Sequence, residues 1–178
     1  TSMTAESDKN PWRSISGLAL LALLLLTPSC TSRTTTDGRA APLVVTSSGA
    51  VMGTTDPRTG TQVFRGIPYA QPPVGNLRFK APVPATPWEG ALDATRFGSA
   101  CAQVYYQEIA TPEEFGPTDD ENCLTLNIWT PGLDDERRPV MVWIHGGANW
   151  TESSRIAYYD GQKLGERGDV VVAGLTYR

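Results

Sequence analysis

One stretch limits the choice of fold more than any other: Arg138-Pro139-Val140-Met141-Val142-Trp143-Ile144-His145-Gly146-Gly147-Ala148-Asn149-Trp150. Its first half is an apolar run rich in β-branched and aromatic residues, bounded by Pro139 and by the glycine pair Gly146 and Gly147. That pattern predicts a strand buried on both faces, of the kind carried by a sheet sandwiched between helices. Two glycines and a small residue then stop the strand abruptly. Such positions let the backbone come close to another group and aim bare N–H donors into a pocket.

The remainder of the chain bounds what that strand can belong to. With 178 residues there is room for one ordinary domain with a real core. Fifteen Lys and Arg against 19 Asp and Glu give a net charge of −4, which argues against a nucleic-acid partner because no clustered basic face is present. Seventeen Gly and 14 Pro gather toward the middle, predicting a loop-heavy region there. The sequence starts at Thr1 and ends in the strand-like run Val170-Val171-Val172-Ala173-Gly174-Leu175-Thr176-Tyr177-Arg178, so a piece of a longer protein is expected.

Residues 1–30 read as an export signal. Lys9 and Arg13 precede an apolar run from Ile15 to Leu26, about twelve residues, which suits a signal-peptide core and falls short of the roughly twenty needed to span a bilayer. Small residues, Thr27-Pro28-Ser29, lead to Cys30. Two outcomes stay open: simple secretory cleavage, or lipoprotein cleavage with Cys30 acylated and the protein anchored to the envelope membrane. Residues 31–42 are polar and read as a flexible linker.

From residue 43 onward, Leu43–Thr46, Ala50–Gly53 and Gln62–Arg65 are short strand-like runs separated by Ser47-Ser48-Gly49 and Asp56-Pro57-Arg58-Thr59-Gly60. They predict an antiparallel meander at the edge of a larger sheet. The stretch Phe64-Arg65-Gly66-Ile67-Pro68-Tyr69-Ala70-Gln71-Pro72-Pro73-Val74-Gly75-Asn76-Leu77-Arg78-Phe79 has too many prolines for a helix or a central strand. It reads as a loop lying flat on the body. Near the C-terminal end, Tyr158-Tyr159-Asp160-Gly161 marks a turn and Gln162–Arg167 a short helix ending at Gly168, before the chain enters its last strand.

This proline-rich stretch, together with Ala81-Pro82-Val83-Pro84, Trp88, Glu121-Asn122-Cys123-Leu124-Thr125-Leu126-Asn127-Ile128-Trp129-Thr130-Pro131, the strand with His145-Gly146-Gly147, and Tyr159-Asp160-Gly161, resembles the N-terminal region of type-B carboxylesterases, the group that includes cholinesterases. The likeness runs from about Leu43 to Arg178. It implies an α/β-hydrolase fold, here an edge meander plus the first strands of a mixed central sheet, with residues 43–178 forming an incomplete N-terminal portion.

The resemblance also implies roles. The N–H groups of Gly147 and Ala148 would donate to the oxyanion of a tetrahedral intermediate, with Gly146 giving the turn its freedom. Ala148 keeps its N–H, and a negative φ or small strain there would preserve the site. His145, the sole histidine, reads as a structural residue of that loop, because the catalytic histidine of this fold comes last in the order Ser, acid, His. Cys101 and Cys123, an even pair in an exported protein once Cys30 is set aside, point to a disulfide bordering the gorge; no His stands near enough to make a zinc site. Arg78 and Glu121 carry over as an ion pair, expected to be bidentate, pinning the proline-rich loop.

No Gly-x-Ser-x-Gly occurs, and Ser99, Ser153 and Ser154 lack flanking glycines, so nucleophile, acid and base are all missing from these residues. The expected function is hydrolysis of a small-molecule carboxylic ester by a serine mechanism in the full-length protein, without metal or cofactor. This chain alone is expected to be inactive. A non-catalytic cholinesterase-like binding or adhesion module on the same fold is the alternative.

Overall fold

A computed structural model describes residues 40–104, 111, 113, 116 and 121–178. The proposed signal, Cys30 and most of the linker lie outside the described residues, as does most of the acidic loop between the two cysteines.

Among the described residues the strands form two sheets. A small one has the order β1-β2-β5, with β1 at Leu43–Thr46, β2 at Gly49–Met52 and β5 at Ala91–Asp93. The larger one has the order β3-β4-β6-β8-β7, with β3 at Thr54–Thr55, β4 at Gln62–Pro68, β6 at Thr125–Thr130, β7 at Val140–Ile144 and β8 at Val171–Leu175. The expected meander is therefore divided. β1 and β2 pair antiparallel, but the run after the Asp56–Gly60 turn leaves them and joins the central sheet against β6. Local turn chemistry gave the strands; it could not say that β5, some forty residues on, would take the place beside β2 in parallel.

β4 and β6 pair antiparallel with a bulge between Phe64 and Ile67. Gly66 sits in it at φ 68°, and its N–H donates to the side-chain oxygen of Asn127 at 3.0 Å. β6 pairs antiparallel with β8, and β8 pairs parallel with β7, so the sheet is mixed. Trp129 on β6 is wholly buried against Val63 and Val172, and Phe64 packs with Val51 and Ala94 in a second cluster that joins the two sheets.

The step from helix to strand is pinned electrostatically. The helix Gln162–Gly168 ends at Asp169 in the left-handed region, φ 47°. Arg138, just before β7, donates from Nε to Asp169 at 2.6 Å and also pairs with Asp134. That clamp and the bond from Val171 N–H to Pro139 carbonyl at 2.9 Å bring the starts of β7 and β8 level.

β7 itself departs from expectation. Every residue of it is exposed, Val142 at 61% and Ile144 at 63%. It lies at the edge of the sheet, paired with β8 alone among the described strands, and the contact of Tyr159 with Trp143 leaves its side chains largely in the open. Burial on both faces, read from the apolar run, is not met within this chain. Among the described residues no helix is long and apolar enough to cross a membrane, and no group of His, Cys, Asp and Glu is placed to hold a metal ion.

Candidate functional site: the turn after β7

The parallel register aligns Ile144 with Leu175, so the residues that follow each strand meet. His145 is buried, 3% exposed, and stacks on Tyr177 with ring centroids 4.4 Å apart. The Tyr177 hydroxyl donates to the His145 carbonyl at 2.8 Å. The ring's Nδ1 faces the Gly146 carbonyl at 3.1 Å, while Nε2 is buried with no partner among the described residues. Burial holds the imidazole below its ordinary pKa, so it is neutral near pH 7. Stacked on Tyr177 and set against the Gly146 carbonyl, the ring is held in one place at the start of the turn.

Beyond His145 the chain turns sharply. Gly147 has φ 93°, Ala148 φ 53° and Asn149 φ 64°. The Gly147 carbonyl accepts from the N–H groups of Trp150 at 3.0 Å and Thr151 at 3.1 Å. Two successive left-handed central residues make this a turn of the mirror-image type I class. The sequence placed the freedom of the turn at Gly146, but Gly146 keeps an ordinary φ and a Cβ there would meet only the Glu152 carboxylate at 3.8 Å. The glycine that the geometry requires is Gly147: a Cβ on it would fall 1.9 Å from the Thr151 carbonyl oxygen. Ala148 takes the positive φ rather than a negative one, at a cost of about 1–2 kcal/mol. With the Gly147 carbonyl tied back, the N–H groups of Gly147 and Ala148 donate to no other described residue.

The segment behind the turn is polar and tightly bonded. Glu152 is 9% exposed with φ 79°, and its carboxylate accepts from the Tyr159 hydroxyl. Its carbonyl accepts from Gln103 Nε2 at 2.8 Å, and the Thr151 hydroxyl donates to the Val104 carbonyl at 3.2 Å. Burial first, and then the neighbouring carboxylate, raise the Tyr159 phenol far above its ordinary pKa, so it stays protonated and can donate. A cavity of about 110 Å³ opens between Gln103, His145, Trp150, Glu152 and Tyr177. Ser154 is occupied elsewhere, accepting from Asn127 Nδ2 at 2.9 Å and lying 2.7 Å from the Thr176 hydroxyl, all three residues buried.

Cys101 and Cys123 are bonded, S–S 2.04 Å across a separation of 22 residues. The bridge fastens the 101–104 segment, and through Gln103 and Val104 the turn itself, to the start of β6. Arg78 meets Glu121 through one Nη1–Oε1 hydrogen bond of 2.6 Å rather than a two-armed fork, and the pair is partly exposed. Glu152, Gln103 and Tyr177 carry no site role in the sequence reading, and Tyr159 enters it only through the Tyr159-Asp160-Gly161 motif. The signal for Glu152 is a lone acidic residue amid the small polar residues Thr151, Ser153 and Ser154.

Comparison with known proteins gives one consistent answer. A family described as the carboxylesterase family matches residues 40–178. The chain is 44% identical over 142 residues to the para-nitrobenzyl esterase of Bacillus subtilis (strain 168), covering 76% of this chain and 27% of that protein. It is 39% identical over 166 residues to the acetylcholinesterase of Bungarus fasciatus, covering 89% of this chain and 27% of that one. A solved structure of PNB esterase superposes with a TM-score of 0.67 at 42% identity, over 78% of this chain and 27% of that chain. The chain thus spans about a quarter of the length of these relatives.

Proposed function

Because the chain belongs to the carboxylesterase family, we propose that it forms the N-terminal part of a secreted or envelope-anchored carboxylic ester hydrolase with the α/β-hydrolase fold, and that it contributes the oxyanion-binding turn at Gly147 and Ala148. The observation that carries the reading is the pair of adjacent N–H groups, on Gly147 and Ala148, that meet no acceptor among the described residues at the end of a sheet strand. Both residues are open enough for a ligand to reach, Gly147 half-buried and Ala148 exposed, so the donors are free to meet a developing oxyanion.

In the proposed reaction a serine supplied by the rest of the protein attacks the ester carbonyl carbon. The carbonyl oxygen gains negative charge, and the two N–H groups stabilise it. The intermediate collapses to an acyl-enzyme with loss of the alcohol, and water releases the acid. Nucleophile, base and acid all come from outside this chain, which holds no Gly-x-Ser-x-Gly. The apolar run Ile15–Leu26 with Lys9 and Arg13 before it supports export, and Cys30 is the residue that acylation would use.

The full-length protein should hydrolyse short-chain p-nitrophenyl esters, lose activity on treatment with a fluorophosphonate, and bind a trifluoromethyl ketone far more tightly than the parent ketone. A folded full-length protein that does none of these is a binding module on the same fold, and the catalytic reading falls.

A further inference from the structure

We propose that Glu152 and Tyr159 act together as a positioning pair that fixes the oxyanion turn from behind; this rests on the reading of Gly147 and Ala148 given above. The starting point is a conformational oddity. Among the described residues Phe79, Ala148, Asn149, Glu152 and Asp169 are non-glycines with positive φ, and Glu152 alone of them is buried. Glycine adopts φ 79° freely, whereas a long side chain held there is strained. A residue that pays such a cost in a buried place needs a compensating set of contacts, and Glu152 has one.

Its carboxylate receives the Tyr159 hydroxyl, and its carbonyl receives Gln103 Nε2 at 2.8 Å. Glu152 stands directly behind both glycines: its Cβ is 3.1 Å from where a Cβ of Gly147 would be, and its Oε2 is 3.8 Å from the corresponding point at Gly146. Tyr159 is itself referenced to the strand that the turn leaves. It ends the 3₁₀ turn Ala157–Tyr159 and packs on Trp143 of β7 with ring centroids 5.4 Å apart. The chain of contact therefore runs from β7 through Trp143 and Tyr159 to Glu152, whose side chain fills the space beside Gly146 and Gly147. It fixes the peptide planes of the turn against the strand from two directions. The phenol keeps its proton because burial and the carboxylate both oppose ionisation. Neither residue need touch the ester, so both are positioning rather than catalytic residues.

The test is steady-state kinetics on p-nitrophenyl esters with the full-length protein, together with thermal melts and trifluoromethyl ketone affinity. Glu152→Gly should leave the melting temperature unlowered, since glycine relieves the backbone, yet reduce kcat by on the order of 10–100-fold with KM nearly constant. Tyr159→Phe should reduce kcat similarly, and the double variant should be no worse than the poorer single one. Glu152→Gln, which still offers the phenol an acceptor, should recover most of the rate. Ketone affinity should fall in step with kcat. Wild-type kcat in Glu152→Gly, a loss confined to KM, or multiplying losses in the double variant would each overturn the pair while leaving the oxyanion reading standing. Should Glu152→Gly fail to fold, Tyr159→Phe at wild-type kcat overturns the pair equally well. A wild-type protein that neither turns over esters nor binds the ketone overturns the oxyanion reading and this inference together.

Discussion

Replacing Gly147 with alanine puts the geometry of the turn to a quantitative test. A Cβ at this position would sit 1.9 Å from the Thr151 carbonyl oxygen and 2.6 Å from its carbon. Carbon and oxygen rest at about 3.3–3.6 Å, so the two backbone segments must separate by more than about 1 Å. The obstacle is main chain, and no rotamer change relieves it. Separation also strains the bonds from Trp150 and Thr151 N–H to the Gly147 carbonyl, at 3.0 and 3.1 Å, that hold the turn closed. A displacement of about 1 Å costs on the order of 10²-fold in rate, and outright loss of one oxyanion donor costs about 10²–10³-fold. Gly147→Ala should therefore lower kcat of the full-length protein on p-nitrophenyl acetate by about 10²–10³-fold, or about 3–4 kcal/mol in the barrier. KM should change little, because these donors act most strongly on the charge that develops in the transition state. Gly146→Ala supplies the steric comparison: its Cβ meets nothing closer than 3.8 Å, so its melting temperature should match the wild type while that of Gly147→Ala falls. A Gly147→Ala enzyme with kcat within threefold of wild type would refute the reasoning.

Other consequences are equally direct. Reducing the Cys101–Cys123 bond, or replacing both cysteines with serine, should cost about 3 kcal/mol by freeing the unfolded chain, seen as a lowered urea midpoint; kcat should fall as well, because Gln103 and Val104 hold the turn through that segment. Asn127→Ala removes the acceptor of the half-buried Gly66 N–H and the buried donor to Ser154, and should destabilise by about 3 kcal/mol in chemical denaturation. His145 titrates below its ordinary value of about 6.5 when folded, so the unfolded chain binds the extra proton first. Its contribution to stability is therefore whole above about pH 6.5 and lost as pH falls toward the depressed folded value. His145→Gln should flatten the slope of the urea midpoint over that window, and an unchanged slope would contradict the buried, neutral ring.

Local chemistry made much of the fold legible. β-Branched runs between Asp, Pro and Gly turns marked β1, β2, β4 and β8, and the helix Gln162–Gly168 follows from its own short pattern. What stayed hidden was pairing. β4 reads like the next strand of a meander, yet its bulge at Gly66 is anchored by Asn127 from β6, a partner sixty-one positions away. Nothing in the residues around Gly66 announces that contact, because a hydrogen bond from a backbone N–H to a distant amide leaves no local period. The turn was legible in kind, and what differs is which glycine it requires. Two adjacent glycines look alike in a sequence, and only the approach of the Thr151 carbonyl tells Gly147 from Gly146.

β7 shows the same limit from the opposite side. Its run of Val140, Met141, Val142, Trp143 and Ile144 has the composition of a strand covered on both faces, and each of these side chains is exposed here. Composition records what a strand packs against in the finished protein, whereas exposure records what this chain alone provides. The two disagree where a chain spans 27% of a relative's length. An apolar strand with one unpaired edge is costly in water and prone to pair with another chain. Its placement at the sheet edge, directly before the turn at Gly147 and Ala148, sets the uncovered strand beside the residues proposed to bind the oxyanion.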